Sequence, residues 1–177
     1  GLQLVRELQG ADLARLAVSA SGAPASRHLA ENLVLERLAQ LPLPQKMLLA
    51  RQGSGRISGA LLLEGNADVV PAVLDNKLLT EGQVLRALAR AGLPVRVPTA
   101  IAEHGRWSQV YAIRLALLRN GQAPLARLLA FLPALATPDI RALSNSGSVP
   151  RALREHIRRE LADRLRRGAL PTKRPSL

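Results

Sequence analysis

The sequence predicts an all-α fold, and within that class an α-solenoid of short stacked helices closed by a longer basic helix. Three observations carry the prediction. Hydrophobic residues make up 47% of the 177-residue chain and aromatics only 2%. The apolar material is mostly Leu, Ala and Val, residues that let short helices approach closely, whereas a sandwich or barrel draws on more β-branched and aromatic side chains. A phrase also recurs in which an apolar pair ends in Asn, His or Gly, a turn follows, and a new apolar run begins. Finally, prolines stand near the starts of these runs and glycines near their ends, which is the asymmetry of helix termini.

Residues 1–40 match the phrase least and read as a degenerate first repeat or cap, with helices over Leu2–Leu8, Asp12–Ser19 and Arg27–Gln40 and a loop over Ser19–Ser26. Leu41-Pro42-Leu43-Pro44 is the expected joint to a repeat array over residues 41–149. In the array, Pro44 opens a helix to Arg51 that stops at Gln52-Gly53, and Arg56–Leu63 follows. Asp68–Leu74 ends at Asp75-Asn76, and Thr80-Glu81-Gly82-Gln83 has the form of a capping box opening Glu81–Arg90. Gly92 closes that helix; Arg96–Glu103, with Pro98 in its first turn, stops at His104-Gly105. Trp107–Arg119 runs to Asn120-Gly121, and Pro124 opens a segment to Leu135. Thr137-Pro138-Asp139 offers an N-cap, a first-turn proline and a first-turn acid for Pro138–Leu143, which stops at Asn145-Ser146-Gly147. Pro150–Arg167 is the longest uninterrupted helix, with a polar outer face suited to a terminal cap, and residues 168–177, with Pro171 and Pro175, read as a loose tail. Isolated helices shorter than about 12–15 residues are marginal in water. Such segments must take their order from neighbours, packed at roughly 8–10 Å.

The alternation of short helices with Asn-Gly-type turns, clearest in Leu48-Leu49-Ala50-Arg51-Gln52-Gly53-Ser54-Gly55-Arg56, Val73-Leu74-Asp75-Asn76-Lys77-Leu78-Leu79-Thr80-Glu81 and Ile113-Arg114-Leu115-Ala116-Leu117-Leu118-Arg119-Asn120, resembles bacterial HEAT-like and leucine-rich-repeat-variant α-solenoid proteins. The resemblance covers about two-thirds of the chain. It implies a right-handed solenoid of HEAT-like repeats acting as a binding scaffold, and it carries over no catalytic residue. Variant-repeat proteins can bear a cysteine-ligated iron–sulfur cluster, a feature that a chain without cysteine excludes.

The residues themselves offer little chemistry. Disulfides and thiolate catalysis are excluded with the cysteines. His28, His104 and His156 lack metal-ligand spacing, and His104 takes the turn position held by Asn in sibling repeats. Gly53-Ser54-Gly55-Arg56-Ile57-Ser58-Gly59 has Ser where a dinucleotide fingerprint needs its last glycine, follows a helix rather than a strand, and reads as an inter-repeat turn. Trp107 and Tyr111 share a helix face with Arg114 and read first as core between repeats, second as a recognition surface. No catalytic, metal or cofactor residue is expected. A helical-repeat DNA glycosylase is the distant enzymatic alternative, but it needs an acid beside an aromatic, and no acid stands at helical spacing from Trp107 and Tyr111.

Charge is the remaining signal. The net charge is +12, and residues 150–177 alone hold nine basic and three acidic groups, half of that excess. The position before each turn reads Arg51, Glu64, Asp75, Arg90, Glu103, Arg119, which suggests ion pairs between neighbouring repeats rather than a continuous basic groove. The candidate binding surface is therefore Arg86, Arg96, Arg106, Trp107, Tyr111, Arg114, Arg127 and Arg141 on the repeats, with Arg154, Arg158, Arg159, Arg166 and Arg167 on the last helix. The expected function is a non-catalytic scaffold for a protein or peptide partner; the alternative is a nucleic-acid-binding repeat protein that uses these arginines. No targeting segment is visible, and the longest uncharged apolar stretch, between Arg127 and Asp139, is interrupted by Pro133 and Pro138, so a cytoplasmic protein without membrane insertion is expected.

Overall fold

A computed structural model describes residues 10–19 and 24–169. Among these residues the chain forms eleven α-helices and three 3₁₀ turns, with no strand. The helices are α1 (Gly10–Val18), α2 (Pro24–Arg37), α3 (Leu43–Gln52), α4 (Gly55–Glu64), α5 (Val69–Asp75), α6 (Glu81–Ala89), α7 (Arg96–Glu103), α8 (Tyr111–Asn120), α9 (Leu125–Phe131), α10 (Thr137–Asn145) and α11 (Arg151–Ala169). Each coincides with an expected segment to within a few residues. The 3₁₀ turns Leu38–Gln40, Trp107–Gln109 and Leu132–Ala134 occupy ends that the sequence pattern merges into longer helices. The expected helix Leu2–Leu8 lies outside the described residues, as do residues 20–23 and 170–177. Two boundaries differ inside them: α2 starts at Pro24, within the expected loop, and α11 continues through Gly168, within the expected tail.

The helices pack by a rule of two. α1, α3, α5, α7, α9 and α11 each contact the next of that odd series, and α2, α4, α6, α8 and α10 do the same in the even series. Contacts such as α1 with α2, α4 with α5, α7 with α8 and α10 with α11 tie the two layers together. Between the layers lies one continuous hydrophobic cluster from Leu13 to Ile157. Leu49, Ile57, Leu61, Leu62, Val73, Val84, Ile101, Ile113, Leu117 and Leu118 within it are fully buried. Burying one such side chain contributes about 1.5–3 kcal/mol, which the helix alone has no surface to obtain.

The recurring phrase in the sequence has two structural jobs. The first is local: the polar side chain after a helix accepts the backbone N–H two residues on. Asn66 accepts from Asp68 at 3.0 Å, Asn76 from Leu78 at 2.8 Å, His104 Nδ1 from Arg106 at 3.2 Å, Asn120 from Gln122 at 3.2 Å and Ser146 from Ser148 at 3.4 Å. His104 thus substitutes for asparagine with a ring nitrogen, and its Nε2 meets Asp75 Oδ1 at 3.1 Å.

The second job is long-range. The last carbonyls of a helix have no partner within it, and at five helix ends a side chain from the next helix of the same layer, or from the turn just after it, supplies one. Asn76 Nδ2 donates to Ala50 O at 2.8 Å and Gly53 O at 3.0 Å, closing α3. Trp107 Nε1 donates to Leu74 O of α5 at 2.9 Å, Asn120 Nδ2 to Leu88 O of α6 at 3.0 Å, and Arg127 Nε to Ala102 O of α7 at 2.8 Å. Arg164 closes the end of α9 through Leu132 O at 2.8 Å and Leu135 O.

Termination divides accordingly. Gly121 ends α8 in the left-handed region at φ +67°, where a Cβ would come within 2.2 Å of Pro150 Cγ, so only glycine fits. Asn76, His104 and Ser146 instead end their helices in extended backbone. At the starts, the Gln83 side chain accepts the Thr80 N–H at 2.8 Å and Ser54 Oγ accepts from Ile57 N at 3.5 Å, so the glycine-rich turn serves as a helix entry. Thr137 sits one residue inside α10, with Ala136 as its N-cap. No helix among the described residues is long and apolar enough to cross a membrane.

Candidate binding surface

Of the residues expected at the surface, Trp107 is withdrawn by the packing. Trp107 is 1% exposed, its indole N–H is spent on Leu74, and the Arg106 guanidinium covers its ring at 4.1 Å from the centroid. Tyr111 is exposed, but its hydroxyl donates to Asp139 Oδ2 and accepts the Ala136 N–H at 2.9 Å, fastening α8 to the start of α10. The hydrogen bond to Asp139 is the largest influence on this phenol and raises its pKa above the usual 10.0; the Ala136 N–H acts in the opposite sense. An acid therefore does stand beside an aromatic. It lies 28 residues away in the chain, beyond any helical spacing, and neither group lines the groove of about 680 Å³ between α6 and α8.

Several arginines are likewise structural. Arg114 Nε donates to Ser108 O at 2.6 Å and Nη2 to Gln109 Oε1 at 2.8 Å, and Arg114 and Arg127 both lie 5.6 Å from the Phe131 ring. Arg154 holds Val149 O at 2.7 Å, Arg166 pairs with Asp163, and Arg167 lies 3.9 Å from Glu160. Arg86, Arg96, Arg141, Arg158 and Arg159 remain exposed, and their guanidinium groups make no ion pair or hydrogen bond among the described residues. The thirteen candidates thus do not gather into one site: some build the stack, and the free ones spread from α6 to α11.

The expected ion pairs between repeats do not form. Arg51, Arg90, Glu103 and Arg119 enter no ion pair among the described residues, Glu64 is bonded to the buried Lys46 of α3, and Asp75 meets His104. Layer order and competing partners together account for this. Helices consecutive in the chain lie in different layers, so spatial neighbours are two helices apart. Read that way, the odd layer ends in Arg51, Asp75 and Glu103 and the even layer in Glu64, Arg90 and Arg119. Opposite charges are therefore neighbours only at Arg51/Asp75 and Glu64/Arg90, and there Asp75 is taken by His104 and Glu64 by Lys46.

Grooves run between neighbouring helices of each layer. In the odd layer, one of about 490 Å³ between α3 and α5 is lined by Met47, Arg51, Asp68, Pro71 and Asp75, with both signs of charge. In the even layer, a larger one of about 680 Å³ lies between the C-terminal halves of α6 and α8. Leu85, Leu88 and Ala116 give it an apolar floor, Arg90 and Arg119 stand at its rim, and no acidic residue lines it. The sequence pattern bypassed both arginines because it assigned them to ion pairs. Among the described residues no group of three or more His, Cys, Asp or Glu side chains is arranged to hold a metal ion.

Compared with known protein families, curated proteins and solved structures, the chain matches none.

Proposed function

We propose that the chain is a right-handed α-solenoid of HEAT-like repeats that serves as a non-catalytic scaffold for a protein or peptide partner. The observation that carries this reading is the contact of every helix with the one two places on, which leaves grooves between successive helices open along each layer. Stacked helix pairs of this kind present extended surface, and their stability is a sum of units and interfaces. The use of Trp107, Arg127 and Arg164 as caps supports it further, because these residues serve the stack and not a reacting centre.

Affinity capture with the full chain at moderate salt tests the proposal. A protein partner retained after nuclease treatment is the expected result. Recovery of nucleic acid alone, seen as a raised absorbance ratio that survives until a high-salt wash, would replace it with the nucleic-acid reading. That second reading is favoured by one observation, the exposed and unpaired Arg158 and Arg159 on α11. It predicts affinity for DNA or RNA that falls steeply with salt and drops on Arg158→Glu and Arg159→Glu. Arg166 and Arg167 contribute less, since Asp163 and Glu160 offset their charge.

A further inference from the structure

We infer that the groove between α6 and α8 is the scaffold's recognition site and that its occupant is an acidic peptide segment bearing an aliphatic side chain. The inference deepens the scaffold reading and rests on it. Charge complementarity carries it. Arg90 and Arg119 are both exposed, both line the same groove, and neither guanidinium has an anionic or carbonyl partner among the described residues. Four other arginines, Arg114, Arg127, Arg154 and Arg164, hold backbone carbonyls, and the unpaired candidates Arg86, Arg96, Arg141, Arg158 and Arg159 line no part of this groove. Two like charges left facing one cleft repel each other, and a ligand with carboxylates on either side of its anchor relieves that repulsion through charge-assisted hydrogen bonds.

The floor specifies the rest of the ligand. Leu85, Leu88 and Ala116 present aliphatic surface and the groove lacks an aromatic ring, so it offers burial to a branched aliphatic side chain and no stacking platform to a base. Asn120 is already committed to Leu88 O and Gln122 N, which fixes the groove wall. Gln122 and Ser148 at the rim supply uncharged polar groups for a peptide main chain. A phosphate backbone, by contrast, needs a line of cations. The even layer interrupts that line at Glu64, the equivalent position at the end of α4.

The test pans the full-length protein against a displayed library of random dodecapeptides and measures the enriched peptides by fluorescence anisotropy. Enriched sequences are expected to combine two or more Asp or Glu residues with a Leu, Ile or Val. Their affinity is expected to fall about tenfold or more in the double variant Arg90→Glu/Arg119→Glu. Arg37→Glu/Lys77→Glu changes net charge equally at exposed positions away from the groove, and it is expected to leave affinity within about twofold. Enriched peptides that bind the first variant as tightly as wild type would overturn the groove assignment while leaving the scaffold reading intact. Failure to enrich any peptide, together with tight binding of single- or double-stranded DNA, would overturn both. Self-association abolished by the Arg90/Arg119 reversal would assign the groove to a second copy of the chain and likewise refute the acidic-peptide proposal.

Discussion

Asn76 offers the sharpest test of how this stack is held together. Its side chain is 4% exposed and is placed among three acceptors: Ala50 O at 2.8 Å, Gly53 O at 3.0 Å and Ser58 Oγ at 3.0 Å, while its own oxygen takes the Leu78 N–H at 2.8 Å. Asn76→Ala strips the donors from the end of α3 and the acceptor from the following turn. Leaving a buried polar group without a partner costs about 1–3 kcal/mol, and two carbonyls are stranded, so a loss of about 2–5 kcal/mol is expected. That is a large share of the roughly 5–15 kcal/mol that holds a typical domain folded. At about 2–4 °C per kcal/mol for a chain of this size, the melting midpoint falls by about 4–20 °C.

Asn76→Asp separates this mechanism from simple loss of volume. It keeps the shape and the acceptor for Leu78 but faces the two carbonyls with a carboxylate, so it is expected to cost at least as much as alanine. Asn66→Ala, which removes only the local bond to the Asp68 N–H, is expected to cost about 0.5–1.5 kcal/mol. The assay is circular-dichroism melting with amide hydrogen exchange read at α3 and α5. An Asn76→Asp protein melting within about 2 °C of wild type would refute the claim that these cross-unit bonds stabilise the stack.

The remaining predictions concern other joints. Lys46 is 6% exposed and bonded to Glu64 and Ala39 O; Glu64→Ala, which strands the buried ammonium, is expected to destabilise by about 3–5 kcal/mol, whereas Lys46→Met with Glu64→Leu is expected to be near neutral in urea unfolding. Tyr111 is held protonated by Asp139, so the contact stabilises below pH 10 and is lost as pH rises through its elevated pKa; ultraviolet titration should show a late phenolate transition that Asp139→Asn moves back toward the ordinary value. Gly121→Ala and Gly92→Ala both place alanine at positive φ, but only the former meets Pro150, and nothing lies within 4 Å of the latter. Gly92→Ala is expected to lose about 1 kcal/mol and Gly121→Ala distinctly more, measured as a difference in thermal midpoint.

The helices and their order were legible because their signals are local. Pro44, Pro98 and Pro138 fall in the first turns of α3, α7 and α10, and the Asn, His and Ser at the turns bond two residues ahead, a reach that spacing reveals. The candidate surface was less legible, for two physical reasons. An arginine that caps a distant carbonyl and one that faces water look identical in sequence; Arg127 and Arg141 differ only in whether Ala102 O stands within reach. Adjacency along the chain is also not adjacency in the fold. Sequence order sets Arg90 beside Glu103, while the layers set it beside Arg119, so the groove they share had no signature along the chain.

The cross-unit bonds also give the array a direction. The donors Asn76, Trp107, Asn120, Arg127 and Arg164 lie 26, 33, 32, 25 and 32 residues downstream of acceptors that they complete. On a ribosome, each of these helix ends therefore waits for roughly one further pair of helices to emerge before its last carbonyls leave water. A chain shortened from its C-terminal side strands acceptors buried in the unit left behind, whereas one shortened from its N-terminal side frees only side chains that can swing outward. Trimming the two ends is thus expected to have unequal consequences, and limited proteolysis of matched truncations would reveal the asymmetry.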